Sequence, residues 1–294
     1  MSSRPCSACP ALAGPTSHGD DGTPTPDETR VLPLIVFASP KGGVGKTTLA
    51  ANTAHELARR GHRVIVADVD PQNALGMHFG ADPYERAGFI TTLTESNDAR
   101  RVWQGALQTT ASGVGLLPHG HASFAQAIEI GGALSQKPEL LAAPFRDILQ
   151  DPETIVIVDT PPGPGPALTA ITSLADMIVV VLLADAASIV QIPKIEGDGM
   201  YADAEGVRLP PERFGFVINQ IDMRSRLSRA AAEAASRHLG DRLLGSVYRD
   251  EHVPEALARQ SGVNGYAPAS KAAQDIAAIT TRIEAAATSS ADTT

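Results

Sequence analysis

Two lysines, three aspartates and a run of glycines carry the chemistry available to this chain. Residues 39–48 read Ser-Pro-Lys-Gly-Gly-Val-Gly-Lys-Thr-Thr, after the apolar run 34–38 and before a helix-compatible stretch ending at Arg60. Strand, glycine turn and helix start, in that order, make a phosphate cradle. Gly42, Gly43, Val44 and Gly45 let backbone N–H groups converge on phosphate oxygens, and the helix N-terminus adds a favourable dipole. In such a cradle Lys46 reaches the β and γ phosphates, the Thr47 hydroxyl can ligate Mg²⁺, and Thr48 continues the nucleotide-binding turn. The tight turn keeps Lys41 off the phosphates that Lys46 serves. Lys41 either reaches outward to a nucleotide held by a second subunit or is an ordinary solvated lysine.

The aspartates fall where a sheet would present them. Asp68 and Asp70 follow the apolar run 64–67 at a spacing of two, which puts both side chains on one side of an extended chain. Asp159 ends the run 155–158 in the same manner. Hard Mg²⁺ on phosphate takes oxygen ligands, often through water, and a further carboxylate can orient an attacking water.

These residues need a scaffold that brings separate strand ends together. From residue 33 onward, β-branched runs at 34–38, 64–67, 114–117, 155–158, 177–183, 214–218 and 243–247 alternate with helical stretches near 47–60, 166–175, 187–199, 227–239 and 269–286. That alternation predicts an α/β fold, a mainly parallel twisted sheet with helices on both faces and ligands beyond the carboxyl ends of its strands. Segments 81–112 and 121–152 follow neither period cleanly. We expect one domain over 32–286, a disordered extension over 1–31 rich in Ser, Pro, Thr and Gly, and a disordered tail over 287–294. Cys6 and Cys9 have CxxC spacing but no second Cys or His pair nearby, so neither a zinc site nor a redox pair is expected of them. His78, His119 and His121 show no metal-ligand spacing and read as solvated or core histidines.

Charge and hydropathy narrow the function classes. Lys and Arg number 24 against 33 Asp and Glu, a net charge of −9, so the chain as a whole repels nucleic acid and anionic lipid, and any basic contact must be a local patch. The longest apolar run, 177–184, is far short of the ~20 residues of a membrane-spanning helix. With no secretory h-region in 1–30, the expected location is cytoplasmic, peripheral to the inner membrane only through partners.

The string from Lys41 to Thr48 resembles the deviant Walker A motif of the ParA/MinD superfamily of P-loop ATPases. The resemblance implies a MinD-like P-loop fold, hydrolysis of ATP with Mg²⁺, and a homodimer with ATP at its interface, contacted across that interface by Lys41. It makes Asp159 the Walker B residue, Asp68 an indirect partner of Mg²⁺, Asp70 the water-orienting residue and Asn219 the adenine reader. Thr160-Pro161-Pro162-Gly163 is similar to the switch II loop of the same superfamily. Asn219-Gln220-Ile221-Asp222 also resembles a degraded guanine-reading motif, which keeps GTP as an alternative. Asp70-Pro71-Gln72-Asn73-Ala74-Leu75, together with 112–120, 185–188 and 248–256, resembles the BcsQ branch, ATPases encoded with bacterial cellulose synthase. That branch implies a dimerisation switch supporting assembly, localisation or activity of the cellulose synthase complex, with its subunits as partners. The rival is a partitioning ATPase that binds DNA through Arg224, Arg226, Arg229, Arg237 and Arg242, a run interrupted by Asp222, Glu233 and Asp241. A directly anchored, MinD-like positioner is disfavoured, because nothing after Ile283 forms a bulky apolar or basic helix face.

Overall fold

The apolar runs of the sequence become the centre of one sheet, seen in a computed structural model that describes residues 34–96, 98–197 and 200–289. In chain order the elements are β1 (Leu34–Ala38), α1 (Lys46–Arg59), β2 (Arg63–Asp68), α2 (Ala99–Ala106), β3 (Gln108–Thr109), β4 (Gly115–Leu117), α3 (Phe124–Gln136) and α4 (Glu139–Ile148). They continue with β5 (Thr154–Asp159), α5 (Pro166–Thr172), β6 (Met177–Leu183), α6 (Ala186–Ile189), α7 (Ile192–Gly197), β7 (Phe214–Ile221), α8 (Arg226–Leu239), β8 (Leu243–Tyr248), α9 (His252–Ala258), α10 (Val263–Tyr266) and α11 (Lys271–Ser289). The strand order is β3-β4-β2-β5-β1-β6-β7-β8, and every neighbouring pair is parallel except β3–β4.

Both faces of the sheet are covered, which explains why its central strands read as unbroken apolar runs. Alternate residues serve opposite layers. Ile35 and Phe37 of β1 pack with Leu49 and Leu57 of α1 and with Ile276, Ile279 and Ile283 of α11. Leu34, Val36 and Ala38 pack on the other side with Leu141 and Phe145 of α4, Leu168 and Ile171 of α5 and Leu239 of α8. Because β5 lies between β2 and β1, with Asp68 in register with Asp159, the ends carrying Asp68, Asp159 and the glycine loop come side by side.

Three details differ from the sequence expectation. The helix expected over 187–199 is two short ones, α6 and α7. Pro193 has no N–H to give the carbonyl of Ile189, and its ring crowds that carbonyl, so the first helix stops there. The segments without a clear period hold α2, α3 and α4, as well as β3, an antiparallel strand too short to show an alternation. The last helix runs to Ser289, past the boundary expected at 286. The extension at 1–31, with Cys6 and Cys9, and the end of the tail at 290–294 lie outside the described residues.

Candidate nucleotide-binding site

β1 ends at Ala38 and α1 begins at Lys46, so the loop between them sits at the carboxyl edge of the central strand. Gly43 (φ 76°) and Gly45 (φ 84°) turn it through left-handed conformations that other residues adopt at a cost. Gly45 is further constrained: a Cβ there would meet Asn219 Nδ2 at 2.4 Å. That amide donates to Val44 O at 2.7 Å, strapping β7 to the loop. On the other side Gly163 N donates to Ser39 O at 2.7 Å, and Thr160 Oγ1 donates to Phe37 O at 2.7 Å. The turn 160–163, read in the sequence as a switch, is thus tied to β1 and the start of the loop by one backbone hydrogen bond and one from the Thr160 hydroxyl.

Lys46 is buried, and its ammonium lies 2.5 Å from Asp159 Oδ1. Thr47 Oγ1 donates to the other carboxylate oxygen at 2.6 Å. Burial pushes the Asp159 carboxyl above its ordinary range, and Lys46 opposes the shift. Asp68 is fully buried beside it. Its Oδ1 accepts from Asp70 N at 3.0 Å and its Oδ2 from Leu75 N at 2.9 Å, so both oxygens hold the loop that follows β2. Burial, then the charge of Asp159, pushes Asp68 well up. Asp70 Oδ1 accepts from Gln72 N at 2.9 Å, and the residue lines the cradle.

Mg²⁺ fits these donors in one particular way. Thr47 and Asp159 offer adjacent hard oxygens, yet among the described residues no group of three or more His, Cys, Asp or Glu could hold a metal alone. Mg²⁺ on a nucleotide takes part of its shell from phosphate and water, so the Thr47 and Asp159 oxygens would be enough to hold it.

Lys41 faces elsewhere. Its Nζ lies 2.9 and 3.2 Å from the two carboxylate oxygens of Asp185, with both side chains about a third exposed (34% and 38%). Asp185 also caps α6, accepting from Ser188 N at 2.7 Å. Burial raises the Asp185 carboxyl, but Lys41 and the cap outweigh it and hold the group below its usual range. Residues 185–188 drew notice in the sequence only as a branch motif. That Asp185 partners Lys41 was not legible.

Two cavities adjoin the loop. A polar one of about 320 Å³ is lined by 42–48, Ser39, Asp70, Gln72, Pro162 and Gln220. A second, of about 350 Å³, has apolar walls from Leu49, Val247, Val253, Pro254, Leu257 and Ile276. They share Gly45, Thr48 and Gln220, so a ligand with a charged and a flat apolar end can span both. The remaining sequence candidates are placed as follows. His78 and His119 are buried and His121 is exposed. Burial, with a contribution from His55, lowers the pKa of His78 to about 4. Of the arginines, Arg224 pairs with Asp222 and Arg242 with Glu196, while Arg226, Arg229 and Arg237 lie exposed along α8.

A glycine loop at the end of the central strand of a mainly parallel sheet, with one lysine inside and one at its front, places the chain in the ParA/MinD class of P-loop ATPases. Within that class it belongs to the family described as cellulose biosynthesis protein BcsQ, whose profile matches residues 32–283. Among curated relatives it is 28% identical to the virulence plasmid ParA family protein pGP5-D of Chlamydia muridarum, over 86% of this chain and 93% of that one. It is 29% identical to the chromosome partitioning protein ParA of Caulobacter vibrioides, over 76% and 84%. The fold is that of the septum site-determining protein MinD complexed with Mg-ADP from Pyrococcus horikoshii (TM-score 0.66, 20% identity, 86% and 96% covered). It is equally that of a ParA family ATPase from Chlorobium tepidum (TM-score 0.67, 20% identity, 83% and 97% covered). Among the described residues no helix is long and apolar enough to cross a membrane.

Proposed function

We propose that this chain binds and hydrolyses ATP with Mg²⁺ and uses the nucleotide to form a homodimer that supports assembly, localisation or activity of the bacterial cellulose synthase complex. The observation that carries the reading is the separation of the two lysines: Lys46 is buried on Asp159, and Lys41 is held outside the cradle by a partly exposed pair with Asp185. In this reading the loop N–H groups and Lys46 hold the phosphates, and Mg²⁺, when bound through Thr47 and Asp159, neutralises their charge. Asp70 keeps a carboxylate at the cradle wall to orient the attacking water. Lys41 exchanges Asp185 for a phosphate on the partner subunit, where a preorganised cation stabilises developing charge.

The cellulose assignment rests on the family match over 32–283, and membrane association would come through the complex. The partitioning reading keeps support from the ParA relatives and from Arg226, Arg229 and Arg237 on one exposed helix. Deleting the gene separates the two. Loss of exported cellulose with normal plasmid and chromosome inheritance, not restored by the Lys46→Ala variant, is expected. Normal cellulose, a segregation defect and ATP-dependent, salt-sensitive duplex binding would establish the partitioning reading instead.

A further inference from the structure

We propose that Gln220 is the residue that binds the sugar of the nucleotide. The inference rests on the nucleotide reading above and deepens it. β7 and β8 slip register twice: first between Phe216, opposite Leu243, and Val217, opposite Gly245, and again between Ile218, opposite Ser246, and Ile221, opposite Tyr248. Across the second slip β7 advances three residues while β8 advances two, a bulge that inserts one residue and re-aims the side chains beside it. Gln220 lies in this bulge with φ 56°, a left-handed conformation that a non-glycine residue holds only where its surroundings demand it.

The bulge brings Gln220 over the loop, its Nε2 3.5 Å from where a Cβ on Gly45 would sit. It is one of three residues common to the polar and the apolar cavity. A nucleotide with phosphates in the first and base in the second must pass its sugar across those shared residues. Gly45 brings no side chain and Thr48 only a short hydroxyl in the first turn of α1, so the Gln220 amide is the longest-reaching polar group of the three.

Two polar neighbours of Gln220 in the chain are already engaged. Asn219 donates to Val44 O and accepts from Gln220 N, so both ends of its amide hold the loop and the bulge. Asp222 accepts from Arg224 N at 2.9 Å and Arg224 Nε at 3.2 Å. By contrast the Gln220 side chain makes no hydrogen bond among the described residues and is exposed at the cavity junction. An amide can accept from one sugar hydroxyl and donate to another or to the ring oxygen.

The test compares ATP with 2′,3′-dideoxy-ATP, by calorimetry with Mg²⁺, on the full chain and on Gln220→Gly and Gln220→Asn. Glycine accepts a positive φ, and asparagine tolerates it while keeping an amide, so both preserve the bulge; thermal melts verify that they fold. Wild type is expected to bind dideoxy-ATP about 3- to 10-fold more weakly than ATP, the span of one neutral hydrogen bond. Gln220→Gly should lose that preference by weakening ATP alone, and Gln220→Asn should retain part of it. Equal loss for both nucleotides, or no loss for either, would overturn the sugar contact. A wild-type chain that binds neither nucleotide would overturn the nucleotide reading itself.

Discussion

The two ends of the glycine loop carry the same residue type in opposite physical settings. At the back, Lys46 is 6% exposed and its carboxylate partner 1%, so the pair is sealed into the core, with Thr47 on the second oxygen. At the front, Lys41 and Asp185 are each about a third exposed, on a loop and on the cap of a helix only four residues long. Breaking a buried pair by removing one partner leaves an uncompensated charge away from water, whereas an exposed pair contributes ~1 kcal/mol or less. The back of the loop is therefore the costlier end to disturb. The front holds its lysine weakly enough to exchange one anion for another.

The largest expected effect is at the back. Lys46→Ala removes a charge-assisted phosphate contact of about 1.5–3 kcal/mol, about 10- to 150-fold in ATP affinity. It also destabilises the fold by about 3–5 kcal/mol, because Asp159 loses its cation. Calorimetry and denaturant melts measure the two losses; wild-type values for both would erase the contrast between the ends. Asp70→Ala is next. Its carboxylate lines the cradle without pairing to Lys46, so ATP affinity should stay within a few fold while turnover falls by about 10²-fold or more. Single-turnover phosphate release at wild-type rate would remove Asp70 from the chemistry.

The front should respond in assembly and hardly at all in stability. With ATP, light scattering should find wild type dimeric and Lys41→Ala monomeric, with melting midpoints changed by no more than ~1 kcal/mol equivalent. A Lys41→Ala chain that dimerised as readily would disprove the cross-subunit contact. The smallest and most diagnostic change is Asp185→Asn, which keeps an oxygen for the Ser188 cap and removes the charge that holds Lys41. Dimerisation should then occur at a few-fold lower protein concentration, the opposite sign to Lys41→Ala. A shift in the same direction would mean that Asp185 positions Lys41 for its partner and does not restrain it.

How legible each part was follows from how local its determinants are. The cradle was readable because strand, glycine turn and helix start are consecutive, and the phosphate chemistry depends on backbone geometry that glycine permits. Asp68, Asp70 and Asp159 were readable because parallel strands present their carboxyl ends on one edge. Helix α3 was not. Leu134 is its one buried residue, while Phe124 and Ile128 are exposed at 83% and 60%, so no core-facing stripe marked it as a helix.

By itself, the sequence determined the fold class, the glycine loop and the carboxylates at the strand ends, since each follows from side-chain periodicity or from residues adjacent in the chain. Only the tertiary structure decided that Lys41 pairs with Asp185, 144 positions away, and that Asp68 spends both oxygens on the backbone of its own loop. It alone decided that a bulge against β8 turns Gln220 into the junction of two cavities. Pairing across a sheet depends on register and crossover, and residues brought together by packing leave no spacing in the chain to read.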